Sequence, residues 1–255
     1  MAMTRDLIPL ADVYFSDEGP VRHLHLDSVW IQGSMLIDAP QVLVHQYIQR
    51  MMAWLLFVEP ASVPRRQAMQ LGLGAGSLTK FCAKVLRMQT VAVEINPKVL
   101  VACRGWFKLP PDNARLRVVL ADAAQEVLDP KWFGNIDALQ IDLYDHDAAA
   151  PLLDTEAFYT DCRRLLTEDG CLCVNLFGRS SSYAGSVERL AAVFGRDAIW
   201  PFKATREGNT VVLAHKTPVR PSRTVLLQRA QDIEQRWALP AGQWVRVLKP
   251  LAAAR

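Results

Sequence analysis

QLGLGAG at residues 70–76 closes an alternating run, Met69, Leu71 and Leu73, and sets glycines at every second position, Gly72, Gly74 and Gly76. Behind it Leu78, Phe81, Cys82, Val85 and Leu86 fall at i, i+3, i+4, i+7 and i+8, the spacing of an amphipathic helix. A strand that turns into a helix through glycines brings the backbone close to a ligand, with free amide groups facing it. Outward from there, Glu94 ends the apolar run TVAVE, 18 residues past Gly76, where a carboxylate suits ribose hydroxyls. Asp122 ends a third run, RVVLAD. Residues 69–122 therefore read as strand, glycine turn, helix, strand with acid, helix, strand with acid. That is the nucleoside-binding half of a doubly wound sheet.

The chain's bulk properties bound what surrounds this unit. Its 255 residues make one large domain, or one and a half. Apolar residues at 51% and charged residues at 22% suit a globular protein with a full core. A formal net charge of +3, with no run of like charges, argues against nucleic acid as a partner. Residues 1–13, MAMTRDLIPLADV, lack the apolar segment of a signal peptide. The longest apolar run, residues 51–58, falls far short of the ~20 residues that span a membrane. A cytoplasmic protein with no membrane partner is expected. Five cysteines without a CxxC pair, Cys171 and Cys173 on one strand face among them, read as buried thiols in a reducing compartment. His23 and His25 share a strand face but have no third ligand nearby, so no metal is expected.

Along the chain, residues 10–38 alternate around two turns, DEGP and LDS, as stacked antiparallel hairpins. The period then changes, and Val42, His45, Gln46, Met52, Leu55 and Leu56 predict a helix over 40–57. EPASVPRR, with two prolines, reads as a linker. Residues 1–58 thus make a hairpin-and-helix region and 59–255 an α/β domain with a C-terminal helix and tail. Strands are expected near 67–72, 90–94, 116–121 and 136–141, with helices near 77–87 and 96–107. The fourth strand delivers Asp142, Leu143, Tyr144 and Asp145 at its carboxyl end, where open α/β sheets bind ligands. A helix over 155–166, with Asp154 as N-cap, leads through the turn TEDG into the strand CLCVNLF. A helix over 182–194, strands near 197–203 and 210–215, and a final helix over 223–237 complete the reading. Trp237 and Trp244 are expected to pack on the body.

These residues resemble the spermidine synthase group of polyamine aminopropyltransferases. HLHLDSVWIQGSM is similar to that family's N-terminal hairpins, with Gln32 at their closing glutamine, and Tyr47 falls on a family tyrosine. LGLGAGSL lies over its glycine loop, VAVEIN over its ribose acid, and VVLADAAQEVL over its adenine-side acid, which implies roles for Asp122 and Ala123. IDLYD resembles the family's D-x-x-D, and PLLDTEAFYTDCRRLLTEDGCLCVN the helix and turn that follow. The resemblance covers residues 12–215. It implies an α/β class I methyltransferase-like Rossmann fold with a mainly parallel seven-stranded sheet and a small N-terminal hairpin region. It also implies a homodimer, and S-adenosylmethionine or its decarboxylated form as co-substrate with no metal. The chain departs from the family at Ala75, where the loop carries an aspartate for the aminopropyl amine. It departs again at Ile48 and Gln49 in place of a His-Glu pair, at Leu143 and Tyr144 between the two acids, and at His146 in place of a proline.

The chemistry this implies is aminopropyl transfer to a small-molecule amine. A sulfonium carbon is already electrophilic, so the protein must place an unprotonated amine in line with it. An amine with a pKa near 10 is cationic at pH 7, and a carboxylate both attracts it and accepts its proton. Asp142 is the expected base and Asp145 the holder of a second positive centre. Tyr144 and Tyr47 shape the site. Two other readings share the scaffold: a methyltransferase using S-adenosylmethionine, and a non-catalytic nucleoside-binding paralogue.

Overall fold

Two sheets carry the chain in the computed structural model, which describes residues 10–143, 153–177 and 180–251. The first is antiparallel, with β1 (Val13–Glu18), β2 (Val21–Leu26) and β3 (Ile31–Leu36) in that order and a bulge at Leu24/His25. Both expected hairpins are present. The connecting segment differs from expectation. Its α-helix, α1, is only Gln46–Arg50, followed by 3-10 turns at Ala53–Phe57 and Pro60–Arg65. Residues 51–56 are buried on every side, so no single stripe selects one long helix. EPASVPRR folds as a 3-10 turn with Val63 in the core, and is not a free linker.

The second sheet begins with β4 (Gln67–Leu71), then α2 (Ser77–Lys80), which widens into a π turn at Phe81–Val85. There follow β5 (Gln89–Glu94), α3 (Pro97–Trp106), β6 (Leu116–Leu120), α4 (Ala123–Glu126) and β7 (Ile136–Ile141). The chain continues with α5 (Glu156–Leu165), β8 (Leu166–Phe177), α6 (Ser180–Phe194), β9 (Ile199–Pro201) and β10 (Asn209–His215). It ends with α7 (Arg223–Trp237) and α8 (Ala241–Val247). The strand order is β6-β5-β4-β7-β8-β10-β9. All neighbours are parallel except β10, which runs against both of its own. This is the expected α/β sheet of seven mostly parallel strands.

Three details depart from the sequence reading. TEDG lies within β8 as a looped-out stretch, because Ile136 pairs with Leu166 while Ala138 pairs with Cys171. The N-cap of α5 is Thr155, whose hydroxyl accepts from Phe158 N. Asp154 instead receives Tyr159, Ser186 and Arg189 and ties α5 to α6. The tail forms a further helix, α8, while Trp244 is buried and Trp237 packs against the same core as expected.

Apolar packing fixes the layers. One sheet face is covered by α4, α5 and α6 through Val127, Tyr159, Leu165 and Leu190. The other is covered by residues 43–63 and the C-terminal helices through Trp54, Leu56, Ile233 and Trp244. A third cluster joins the two sheets: Leu24 and Met35 meet Leu73, Val99, Phe107 and Leu109. Each such side chain contributes about 1.5–3 kcal/mol when fully buried. The N-terminal sheet is thereby held over the glycine turn.

Candidate active site

The glycine turn is set by close approach. Gly72 has φ +93°, and a Cβ there would stand 2.4 Å from the Asp142 carbonyl oxygen. Its N–H donates to Val93 O at 2.9 Å while Asp142 N–H donates to Leu71 O at 3.0 Å, so the ends of β4, β5 and β7 close on one point. Gly74 lies under the Gln32 carbonyl, 3.0 Å from where a Cβ would be, and Gly76 caps α2. Gln32 therefore reaches the loop from β3. Ala75 is 2% exposed, and a Cβ on Gly33 would stand 2.8 Å from its own Cβ. Position 75 is the seat of the N-terminal sheet.

Glu94 ends β5 beside this turn. Its Oε2 accepts Leu73 N–H at 3.1 Å and its Oε1 accepts Asn96 N–H at 2.8 Å. Burial raises its carboxyl above the ordinary range, and these backbone donors, with Ile95, oppose the rise. Asp122 caps α4 through Ala124 N–H at 2.9 Å and brings Ala123 to the same end of the sheet. Ile95 and Leu120 are exposed just past Glu94 and just before this acid. They supply apolar cover beside two polar anchors.

Asp142 lies past the carboxyl end of β7. It keeps some surface open, yet burial pushes its carboxyl up to about 6, against hydrogen bonds from Asn175 and Tyr47 that hold it down. Asn175 Nδ2 donates to Asp142 Oδ1 at 2.9 Å. Tyr47, one turn before the buried Arg50 on α1, reaches the same carboxylate and stacks on His45 with ring centroids 5.9 Å apart. Below them Gln140 Nε2 donates to Met51 O at 3.1 Å and Gln140 Oε1 accepts Gln70 Nε2 at 2.8 Å, tying α1 to the two central strands. Tyr144 and Asp145 lie outside the described residues. His23 and His25 are bonded to Ser34 and Ser16, and among the described residues no three His, Cys, Asp or Glu side chains are placed to hold a metal.

The structure thus brings Gln32, Tyr47, the three glycines, Glu94, Asp122, Ala123 and Asp142 to one end of the sheet. Sequence reasoning passed over Asn175 and Asn209. Their signal was a lone amide in each of two apolar strands, CLCVNLF and NTVVLAH.

A mainly parallel seven-stranded sheet with one reversed strand, a glycine turn after its first strand and acids on the strands that follow defines the class I methyltransferase-like fold. No family model matches the chain. It is 36% identical over 244 residues to the polyamine aminopropyltransferase of Chromobacterium violaceum, covering 94% of this chain and 90% of that one. It is 33% identical over 242 residues to the polyamine aminopropyltransferase of Neisseria meningitidis serogroup A, covering 93% and 89%. Its fold matches the crystal structure of a "probable spermidine synthase" from Corynebacterium glutamicum with a TM-score of 0.72 at 18% identity, over 93% of each chain. The chain belongs to the polyamine aminopropyltransferase family, and its fold is spermidine synthase-like.

Proposed function

We propose that this protein moves an aminopropyl group from decarboxylated S-adenosylmethionine, or a related sulfonium nucleoside, to a small amine. One observation carries the reading: a carboxylate with its pKa near 6 stands beside the glycine turn, held by Tyr47 and Asn175. The amine nitrogen attacks the propyl carbon bonded to sulfur. The C–S bond breaks, its electrons return to sulfur, and neutral methylthioadenosine leaves. The proton lost by the new secondary amine passes to Asp142. A base with that proton affinity is ionised at pH 7 and releases its proton again readily.

Glu94 receives the ribose hydroxyls on lone pairs its two backbone donors leave free. Asp122 and Ala123 meet the adenine, and Gln32 with Gly72, Gly74 and Gly76 lines the sulfonium side. Tyr47 and Tyr144 shape the acceptor site, and Asp145 holds the acceptor's second positive centre. The family resemblance adds a homodimer working in the cytoplasm, with no metal.

The test is a mass spectrum of the protein incubated with decarboxylated S-adenosylmethionine and 1,4-diaminobutane. Methylthioadenosine and an amine heavier by one aminopropyl group are expected. S-adenosylhomocysteine formed only from S-adenosylmethionine would establish a methyltransferase instead. No product from either nucleoside would make the protein a nucleoside sensor.

A further inference from the structure

Asn209 has no place in the site described so far, yet its hydrogen bond and that of Asn175 run in one direction. Asn209 Nδ2 donates to Asn175 Oδ1 at 3.2 Å, and Asn175 Nδ2 donates in turn to Asp142 Oδ1 at 2.9 Å. The two residues are 9% and 3% exposed, on adjacent strands β10 and β8. Asn209 is itself clamped by a turn: Thr205 N–H donates to its carbonyl at 2.7 Å, and its own N–H donates to Thr205 Oγ1 at 3.2 Å. A buried amide without partners costs about 1–3 kcal/mol, so two of them in apolar strands need a reason. An amide has one donor end and one acceptor end. With Asn175 Oδ1 taken by Asn209, only the NH₂ end is left to face Asp142.

We propose that Asn209 is a positioning residue: through Asn175 it keeps the donor end of that amide on Asp142, and so keeps the carboxylate ionised and aimed for the acceptor's proton. Without Asn209 the Asn175 amide loses the bond that holds its oxygen away from Asp142, and an oxygen turned to Asp142 is favourable only when Asp142 is protonated. The proposal rests on Asp142 being the base. Among the described residues, the groups that act on Asp142 are Tyr47 from α1 and Asn175 from β8. The exposed Glu207, on the loop between β9 and β10, acts on His45 and Arg50, and Glu94 is turned to the backbone of residues 73 and 96.

The test is a carboxyl titration of the full chain by ¹³C NMR with labelled aspartate. The Asp142 signal is the one lost in Asp142→Asn. Asn209→Leu, and Asn209→Ala should the larger side chain not fold, are expected to raise its midpoint by about one pH unit, a tenfold change in proton affinity. Asn175→Leu should raise it at least as far. In turnover with decarboxylated S-adenosylmethionine and 1,4-diaminobutane, kcat/KM should fall about fivefold near pH 6 and rejoin the parent near pH 8. A lowered melting temperature with both Asn209 midpoints within about 0.3 unit of the parent overturns the proposal and leaves Asn209 a packing residue. A midpoint that moves while the turnover profile stays put upholds the positioning and removes Asp142 as base.

Discussion

Asp142 and Lys80 depart from their ordinary proton affinities in opposite senses, one at the mouth of the site and one beneath it. With Asp142 as the proposed base the working form is the carboxylate, so turnover should rise with pH through about 6 and be lost as pH falls below it. Asp142→Asn should cut the rate about 10²–10⁴-fold at pH 8 while methylthioadenosine binding, measured by calorimetry, barely changes. A parent-like rate with every amine tried would leave the D-x-x-D match as inherited structure. Lys80 has no exposed surface. Its Nζ donates to Phe107 O, and burial lowers its pKa from 10.5 to about 8. Because the folded value lies below the unfolded one, the charged lysine opposes folding below pH 8, and that opposition fades as pH rises towards 10.5. Lys80→Met removes the titrating group. Denaturant melts should show the parent gaining about 2–3 kcal/mol relative to this variant between pH 7.5 and about pH 10.5. A difference that is flat with pH would mean that the lysine stays charged inside the fold. Nothing in the sequence marked Lys80, which falls between Leu78 and Phe81 and off the apolar positions of that helix.

At the scale of elements, the parallel core was legible because its signals are local. TVAVE, RVVLAD and IDALQID are short apolar runs that end in an acid, and glycines punctuate the first turn. The segment 40–65 was misread because its burial comes from two directions at once, which erases any single periodicity. The junction between the sheets was illegible for a related reason. Gly33 and Ala75 stand 42 residues apart in sequence, and only the fold shows that neither tolerates a larger neighbour. A Cβ on Gly33 would stand 2.7 Å from Ala75 N, so Gly33→Ala must lift β3 from the glycine turn. We expect a loss of about 1–3 kcal/mol in chemical melts and weaker methylthioadenosine binding. An unchanged affinity would show that the N-terminal sheet does not shape the nucleoside site. Glu94 joins elements in the same way, spanning the turn after β4 and the start of α3. Glu94→Ala should remove ribose bonds and free two backbone donors together, weakening methylthioadenosine by about tenfold or more. Calorimetry at parent affinity, with the fold intact by circular dichroism, would take Glu94 out of the site.

The whole molecule decides how the donor is chosen. With a formal net charge of +3 over 255 residues, no global field distinguishes one cationic nucleoside from another. Discrimination must come from groups facing the donor's tail. Decarboxylated S-adenosylmethionine ends in a bare ammonium, whereas S-adenosylmethionine carries a carboxylate beside the same amine. An acid in the glycine loop would repel that carboxylate by about 4 kcal/mol at a separation near 4 Å and an effective dielectric of 20. Here the loop position is Ala75, and its methyl group lies against Gly33. The other acids nearby are committed: Glu94 to two backbone donors, and Asp142 to Asn175 and Tyr47. The protein should therefore bind the two nucleosides within about tenfold of each other, a gap near 1.4 kcal/mol. Ala75→Asp should favour the decarboxylated form, at a cost in melting temperature from the tight contact with β3. Titrating both nucleosides into parent and variant decides the matter. A parent preference of about a hundredfold or more for the decarboxylated form would show that another acid, such as Asp145, meets the ammonium. Ala75 would then be a matter of packing alone.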